Sequence, residues 1–146
     1  MKLFFPAIFL ACLLFAPIAQ AAEPGPEDVV RDFYTWYVPL EAGGGAPLNS
    51  EEIYKYVYLP TVSNLRILYS MAMIDWMYFI CGQEILPGLI NDLVVHPAVP
   101  ITDTVSLVPV GDSQTKPWIL VFVQKEKEGW RITKVEDTNY SALYLR

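Results

Sequence analysis

Hydrophobic and polar positions divide the chain into two regimes, helical first and then alternating. From Pro26 to Leu40, placed at about 100° per residue, Val29, Val30, Phe33, Tyr34, Trp36, Tyr37 and Leu40 share one sector, and Asp28, Arg31, Asp32 and Thr35 share the other. That is an amphipathic helix with an aromatic inner face. Pro26 suits a first helical position, and Glu27 and Asp28 suit the positive end of the helix. Pro39 disfavours a helical Val38, so the helix is expected to stop near Tyr37. The Gly43–Gly45 run reads as a flexible loop. Asn49, with Glu52 three residues on, forms a capping-box pattern for a short helix from Ser50 to Tyr58, ended by Pro60. Leu65 to Cys81 is apolar nearly all round, with Arg66 and Asp75 its only charges, and reads as a buried helix, continuous or broken in the middle.

From Leu89 the pattern changes. The segments LINDLVV, DTVSLVPV, WILVFVQK and WRITKVE are rich in branched and aromatic residues and bounded by turn signals, so they read as strands. KEKEGW joins the last two as a tight antiparallel hairpin, with Gly129 supplying positive φ. Trp130 and Ile132 alternate with Arg131 and Thr133, which gives the sheet one apolar face. Helices followed by antiparallel strands predict an α+β fold, with N-terminal helices packed on a curved sheet.

The first 21 residues read as an export signal. Lys2 is the only charge, Leu3 to Ile18 is apolar, and Ala19-Gln20-Ala21 is a small-x-small cleavage pattern. Phe9 stands where a lipid-attachment motif has a smaller aliphatic residue, so Cys12 is expected to leave unlipidated. The remainder, 22–146, is long enough for one domain with a real core. The whole chain has 16 acidic and 10 basic residues, and losing Lys2 moves its net charge from −6 to −7. Nucleic acid and anionic membrane surfaces attract basic patches, so neither is an expected partner. Asp75 divides the longest apolar run outside the signal, which argues against stable membrane insertion. Cys81 becomes the only thiol, so no internal disulfide is expected. It reads either as a small buried apolar residue or as one half of an intermolecular bridge. His96 is the only histidine, and no metal or other cofactor is implied.

Three stretches carry a resemblance. They are Phe33, Tyr34, Trp36 and Tyr37; Tyr78, Phe79, Gln83 and Glu84; and Gly129, Trp130 and Ile132. Together they resemble the nuclear-transport-factor-two-like, cone-shaped α+β fold. More narrowly, they resemble an exported bacterial family of unknown function, with Glu84 standing where that family usually has aspartate. The resemblance implies a curved antiparallel sheet wrapped by helices. It spans a superfamily of isomerases, dehydratases and non-catalytic binding proteins. Some exported proteins of this sort resemble immunity proteins encoded beside secreted antibacterial toxins.

The chemistry divides between two readings. In an isomerase-like cone, Asp75 between Ile74 and Trp76 would be the base, and Tyr34 or Tyr37 would donate to a developing oxyanion. Against this, Asp75 could sit at a helix break, in water or paired with Arg66. Cys81 and His96 form a thiol dyad on paper only, and no Gly-x-Ser-x-Gly elbow, His-Glu-x-x-His or phosphate loop is present. Met71, Met73, Met77, Trp76, Tyr78 and Phe79 crowd one segment, either as core or as an adaptable interface. The helix of Glu51, Glu52, Tyr54, Tyr56 and Tyr58 cannot bury every ring, so it is expected to offer a tyrosine rim to a basic partner. The Gly43–Gly45 loop and the Asp112–Lys116 turn are further protruding candidates.

The leading expectation is therefore a non-catalytic periplasmic binding protein. In its most concrete form it is an immunity protein or inhibitor that neutralises a basic secreted toxin or periplasmic hydrolase. The alternative is a small apolar-ligand binder or isomerase-like enzyme that uses the cone, and a homodimer is left open. The signal gives a direct test. Intact mass of periplasmic material should match a chain beginning near Ala22 without lipid; a mass from Met1, or a lipidated Cys12, would contradict it.

Overall fold

The computed structural model describes residues 23–138. The expected export signal, residues 1–21, and Cys12 lie outside them. The first helix, α1, spans Pro26–Ala42. Pro26 starts it, and the Asp28 carboxylate accepts the Gly25 N–H at 2.9 Å.

The helix does not stop at Tyr37. It runs through Pro39, and the reason is burial on one side and exposure on the other. Val38 is 2% exposed and belongs to the core. Pro39 and Thr35, whose carbonyl loses its usual i+4 donor, are both exposed, so solvent can satisfy that acceptor. The glycine run is the stop signal rather than a flexible loop. Gly44 has φ +77°, its N–H reaches Glu41 O at 3.0 Å, and Gly45 N–H reaches Leu40 O at 2.9 Å. This is a Schellman cap, which needs a left-handed residue where glycine now stands.

Two short 3₁₀ turns follow, Pro47–Asn49 and Glu51–Lys55. The expected cap on Asn49 is displaced by one residue. Asn49 is consumed in the first turn, and Ser50 Oγ accepts Glu52 N–H at 3.1 Å instead. Helix α2 spans Leu59–Ser70. Pro60, expected to end a helix, begins one, because its missing N–H costs nothing in the first turn. The long buried helix expected over Leu65 to Cys81 is not formed. Its first part belongs to α2, its middle is a loop, and Tyr78–Ile80 is a single 3₁₀ turn. Ile67, Met71, Met73 and Trp76 are exposed.

A one-turn helix, α3 (Pro87–Asn91), takes the start of the first expected strand. The strands are β1 (Leu93–Val95), β2 (Val99–Pro100), β3 (Val105–Asp112), β4 (Ile119–Glu126) and β5 (Gly129–Asp137). All pairings are antiparallel, in the order β1–β3–β4–β5, with β2 also on β3. The β4–β5 hairpin turns through Lys127 and Glu128, with Glu126 opposite Gly129, whose φ is +107°. This is the α+β architecture the sequence pattern indicates, with helices packed against a curved antiparallel sheet.

The core lies between α1 and one sheet face. Val108 and Val110 on β3 and Ile119, Val121 and Val123 on β4 are fully buried, at alternate positions as a one-sided sheet requires. On β5 the buried positions are Ile132 and Val135, three apart rather than two. A β-bulge explains the spacing. Val123 pairs with Ile132 and Phe122 with Lys134, which leaves Thr133 as the extra residue.

Phe33 is the centre of the aromatic cluster. Its ring centroid lies 5.1 Å from Tyr34, 5.1 Å from Tyr37, 5.9 Å from Tyr56 and 5.0 Å from Phe79. Tyr34, also fully buried, donates its hydroxyl to Phe79 O at 2.6 Å. Trp36, expected in the core, is half-buried and stacks on Tyr56 at 5.5 Å.

Two outcomes follow for stability. Phe33→Ala should lower unfolding free energy by about 3–5 kcal/mol, and Trp36→Ala by clearly less, measured by urea denaturation. Burial holds the Tyr34 hydroxyl well above its usual range, so the folded state keeps a proton that the unfolded chain releases near pH 10. That contribution is complete below pH 10 and is lost as pH rises above it. Denaturation midpoints should therefore fall steeply above pH 10, and less so in Tyr34→Phe.

Candidate functional site

The expected tyrosine rim is largely occupied by its own neighbours. Tyr54, Tyr56 and Tyr58 are each half-buried. The Tyr54 hydroxyl accepts from Arg66 Nη1 at 2.8 Å, and Tyr56 is covered by Trp36. The backbone around Tyr58 is tied to the sheet, with Tyr58 N–H on Ile132 O at 2.9 Å. Glu52 pairs with Lys55 at 2.6 Å, and Glu51 is exposed.

Behind this segment lies a hollow of about 570 Å³ between the C-terminal end of α1, the first 3₁₀ turn and the loop after α2. Tyr37, Glu41, Arg66, Tyr69, Asp75 and Gln83 contribute its polar lining. Two of the three residues of the isomerase-like reading, Asp75 and Tyr37, therefore share one cavity. The third does not, because the Tyr34 hydroxyl is fully buried and bonded to Phe79. Burial first, and Glu41 second, hold the Tyr37 hydroxyl protonated far above its usual range. Asp75 is exposed rather than enclosed by Ile74 and Trp76. It is not the partner of Arg66, whose Nε and Nη1 go to Leu48 O at 2.9 Å and to Tyr54.

A second hollow, of about 700 Å³, is lined by Cys81, Glu84, Leu86, Asp112, Lys116 and Trp118 among others. Burial, then Asp137 and Glu136, push the Cys81 thiol up to about 12, so it is a poor nucleophile at neutral pH. Cys81 is half-buried rather than fully enclosed. His96 lies after β1, with its backbone N–H on Pro109 O at 2.9 Å, and does not line this hollow. The Asp112–Lys116 turn is folded on itself. Asp112 Oδ1 accepts from Gln114 N–H at 2.9 Å and from Thr115 N–H at 2.8 Å.

The feature that sequence reasoning misplaced is the loop from Met71 to Met77. Helix α2 ends as α1 does. Ala72 takes the left-handed position at φ +52°, with its N–H on Tyr69 O at 3.0 Å and Met73 N–H on Leu68 O at 2.9 Å. The Tyr69 hydroxyl then closes the loop at its base, donating to Trp76 O at 2.7 Å and accepting Tyr78 N–H at 2.9 Å. Met77 N–H meets Gly82 O at 2.7 Å. The loop is thus fixed at both ends while Met71 and Met73 stand over 60% exposed. The available signal was Asp75 within an apolar run, which is as compatible with a surface loop as with a buried helix.

No protein-family model and no curated protein matches the chain. Among solved structures, the chain is similar to the native type VI effector–immunity complex Tae3–Tai3 from Ralstonia pickettii. The match has 31% identity, 78% of this chain, 95% of that chain and a TM-score of 0.70. The SeMet form of the same complex matches at 31% identity, with 78% and 97% covered and a TM-score of 0.66. The matched fold is that of the complex's immunity protein. Helices on a curved antiparallel sheet, retained over nearly the full length of that neighbour, place this chain in the Tai3 family of type VI immunity proteins.

Proposed function

We propose that this protein is a periplasmic immunity protein that neutralises a secreted antibacterial toxin by direct contact, without catalysis. The observation that carries this reading is the 31% identity over 95% of a chain from an effector–immunity complex. Two features of the molecule support it. The thiol and the most buried tyrosine hydroxyl are held protonated by burial, and neither is poised for chemistry near neutral pH. The acidic balance, −6 over the whole chain, suits a basic partner and an association speeded by charge. Among the described residues no helix is long and apolar enough to cross a membrane.

A second reading keeps one observation in its favour. Asp75 and Tyr37 line the same 570 Å³ hollow, which could hold a small apolar ligand or an isomerase-like site.

The test is protection. Cells that export a Tae3-type effector should lyse or stop growing, and co-export of this chain should restore growth. Asp75→Asn should still protect, because it removes a catalytic base outright but takes only one charge from a contact surface. A wild-type chain that neither protects nor binds that toxin, and instead retains an apolar small molecule, would overturn the immunity reading in favour of the pocket.

A further inference from the structure

We infer that the loop Met71–Met77 is the toxin-contacting knob, and that it fits an apolar cleft rimmed by basic residues; this rests on the immunity reading above. Three observations converge on it.

The first is misplaced apolar surface. Met71 is 63% exposed, Met73 61% and Trp76 39%, with Ile67 beside them at 56%. Scattered apolar residues need no explanation, but four within ten positions on one helix end and its loop form a patch. Methionine and tryptophan are the side chains that give adaptable contact area and anchoring energy at interfaces.

The second is stiffness. An exposed apolar loop without tertiary ties loses entropy when a partner orders it. This one is already ordered by the Ala72 cap, by the Tyr69 hydroxyl and by the Met77–Gly82 bridge. Ala72 and Cys81, the two non-glycine residues with positive φ among those described, bracket the segment. Left-handed backbone at a residue with a β-carbon costs about 1 kcal/mol. Such strain concentrates at functional segments.

The third is charge. Between Arg66 and Lys116 the chain carries no lysine or arginine, while Asp75, Glu84, Asp92, Asp103 and Asp112 fall in that interval. Asp75 sits on the loop itself, and Glu41 lines the adjoining hollow. Arg66 also lines that hollow and keeps its positive charge there, with Nε on Leu48 O and Nη1 on Tyr54, and it makes no ion pair with the loop's own carboxylate. An exposed apolar loop that carries Asp75, and whose Asp75 and Trp76 also border the 570 Å³ hollow, is complementary to an apolar site with a positive rim. The tyrosine segment lacks this character, because its rings and Glu52 already have internal partners.

The experiment measures binding of a Tae3-type effector by calorimetry or surface plasmon resonance, with circular dichroism to confirm folding. Trp76→Ala and Met73→Ser should each weaken Kd at least about 10-fold, as interface anchors do. Asp75→Lys should slow association and flatten its salt dependence. Tyr69→Phe leaves every apolar side chain in place and should weaken binding by loosening the loop. Glu51→Lys with Glu52→Lys should bind within about 3-fold of wild type. If wild type binds the toxin and the folded loop variants bind equally well, the knob is refuted and the immunity reading stands; if only the Glu51/Glu52 variant fails, the tyrosine segment is the contact face. If wild type does not bind, both readings fall. A wild-type dimer that Trp76→Ala converts to monomer would assign the knob to a second copy of this chain and overturn the proposal.

Discussion

The bulge at Thr133 on β5 is the constraint from which the helical layer takes its position. β5 is the outer strand of the sheet, and an outer strand exposes unpaired backbone groups. Here they are used. Ile132 N–H bonds Tyr56 O at 2.7 Å, and Ile132 O accepts Tyr58 N–H at 2.9 Å, so the chain after the second 3₁₀ turn runs parallel to β5 for one bridge. The bulged residue's own carbonyl accepts the Thr61 hydroxyl at 2.8 Å and so fixes the first turn of α2. Val135 N–H, just past the bulge, goes to the Tyr78 hydroxyl at 3.1 Å. Three separate segments are thereby pinned to four consecutive residues of one strand. The same extra residue turns Val135 into the core beside Ile132.

This arrangement explains which parts of the fold were legible in the sequence. The aromatic face of α1 and the alternation of β3 and β4 are local periodicities, and each is buried as its period dictates. The β4–β5 turn is set by Gly129, a local signal. What failed was any feature decided by distant contacts. Whether Pro39 ends α1 depends on Val38 finding a core beneath it and Thr35 finding solvent above it. Whether Pro60 ends or begins a helix depends on Tyr58 being held by β5. The run from Leu65 to Cys81 has a composition that fits a core helix, but the core is already filled. Phe33, Tyr34 and Tyr37 of α1 occupy it, and from the run itself Phe79 joins them. Only Phe79 and Ile80 of the later half of the run are fully enclosed.

The candidate site followed the same division. Asp75 and Tyr37 line one cavity, and the isomerase-like reading took that pair from the fold resemblance together with residue type. The tyrosine segment was read as a helix with surplus rings. As a 3₁₀ turn feeding an extended bridge, it sets Tyr54 against Arg66 and Tyr56 against Trp36 and leaves all three tyrosines half-buried. Sequence periodicity could not show this, because 3₁₀ and α geometries distribute the same residues over different faces.

Exposed apolar contact surface and resistance to self-association make opposing demands, and the loop proposed as the contact knob shows how a short segment can reconcile them. Apolar side chains left outside the core cost hydration free energy of about 25 cal/mol per Å² unless a partner covers them. Confining Met71, Met73 and Trp76 to one short loop keeps that liability small. Closing the loop through one tyrosine hydroxyl, which satisfies both Trp76 O and Tyr78 N–H, fixes the patch without using core volume. Tyr69 in turn stands at the last turn of α2, whose first turn is anchored to the bulge through Thr61. The position of the exposed patch is therefore transmitted along one rigid helix of 12 residues from a single irregularity in the sheet. The paired edge of the sheet and the position of the exposed loop thus trace to the same three residues of β5, Ile132, Thr133 and Val135.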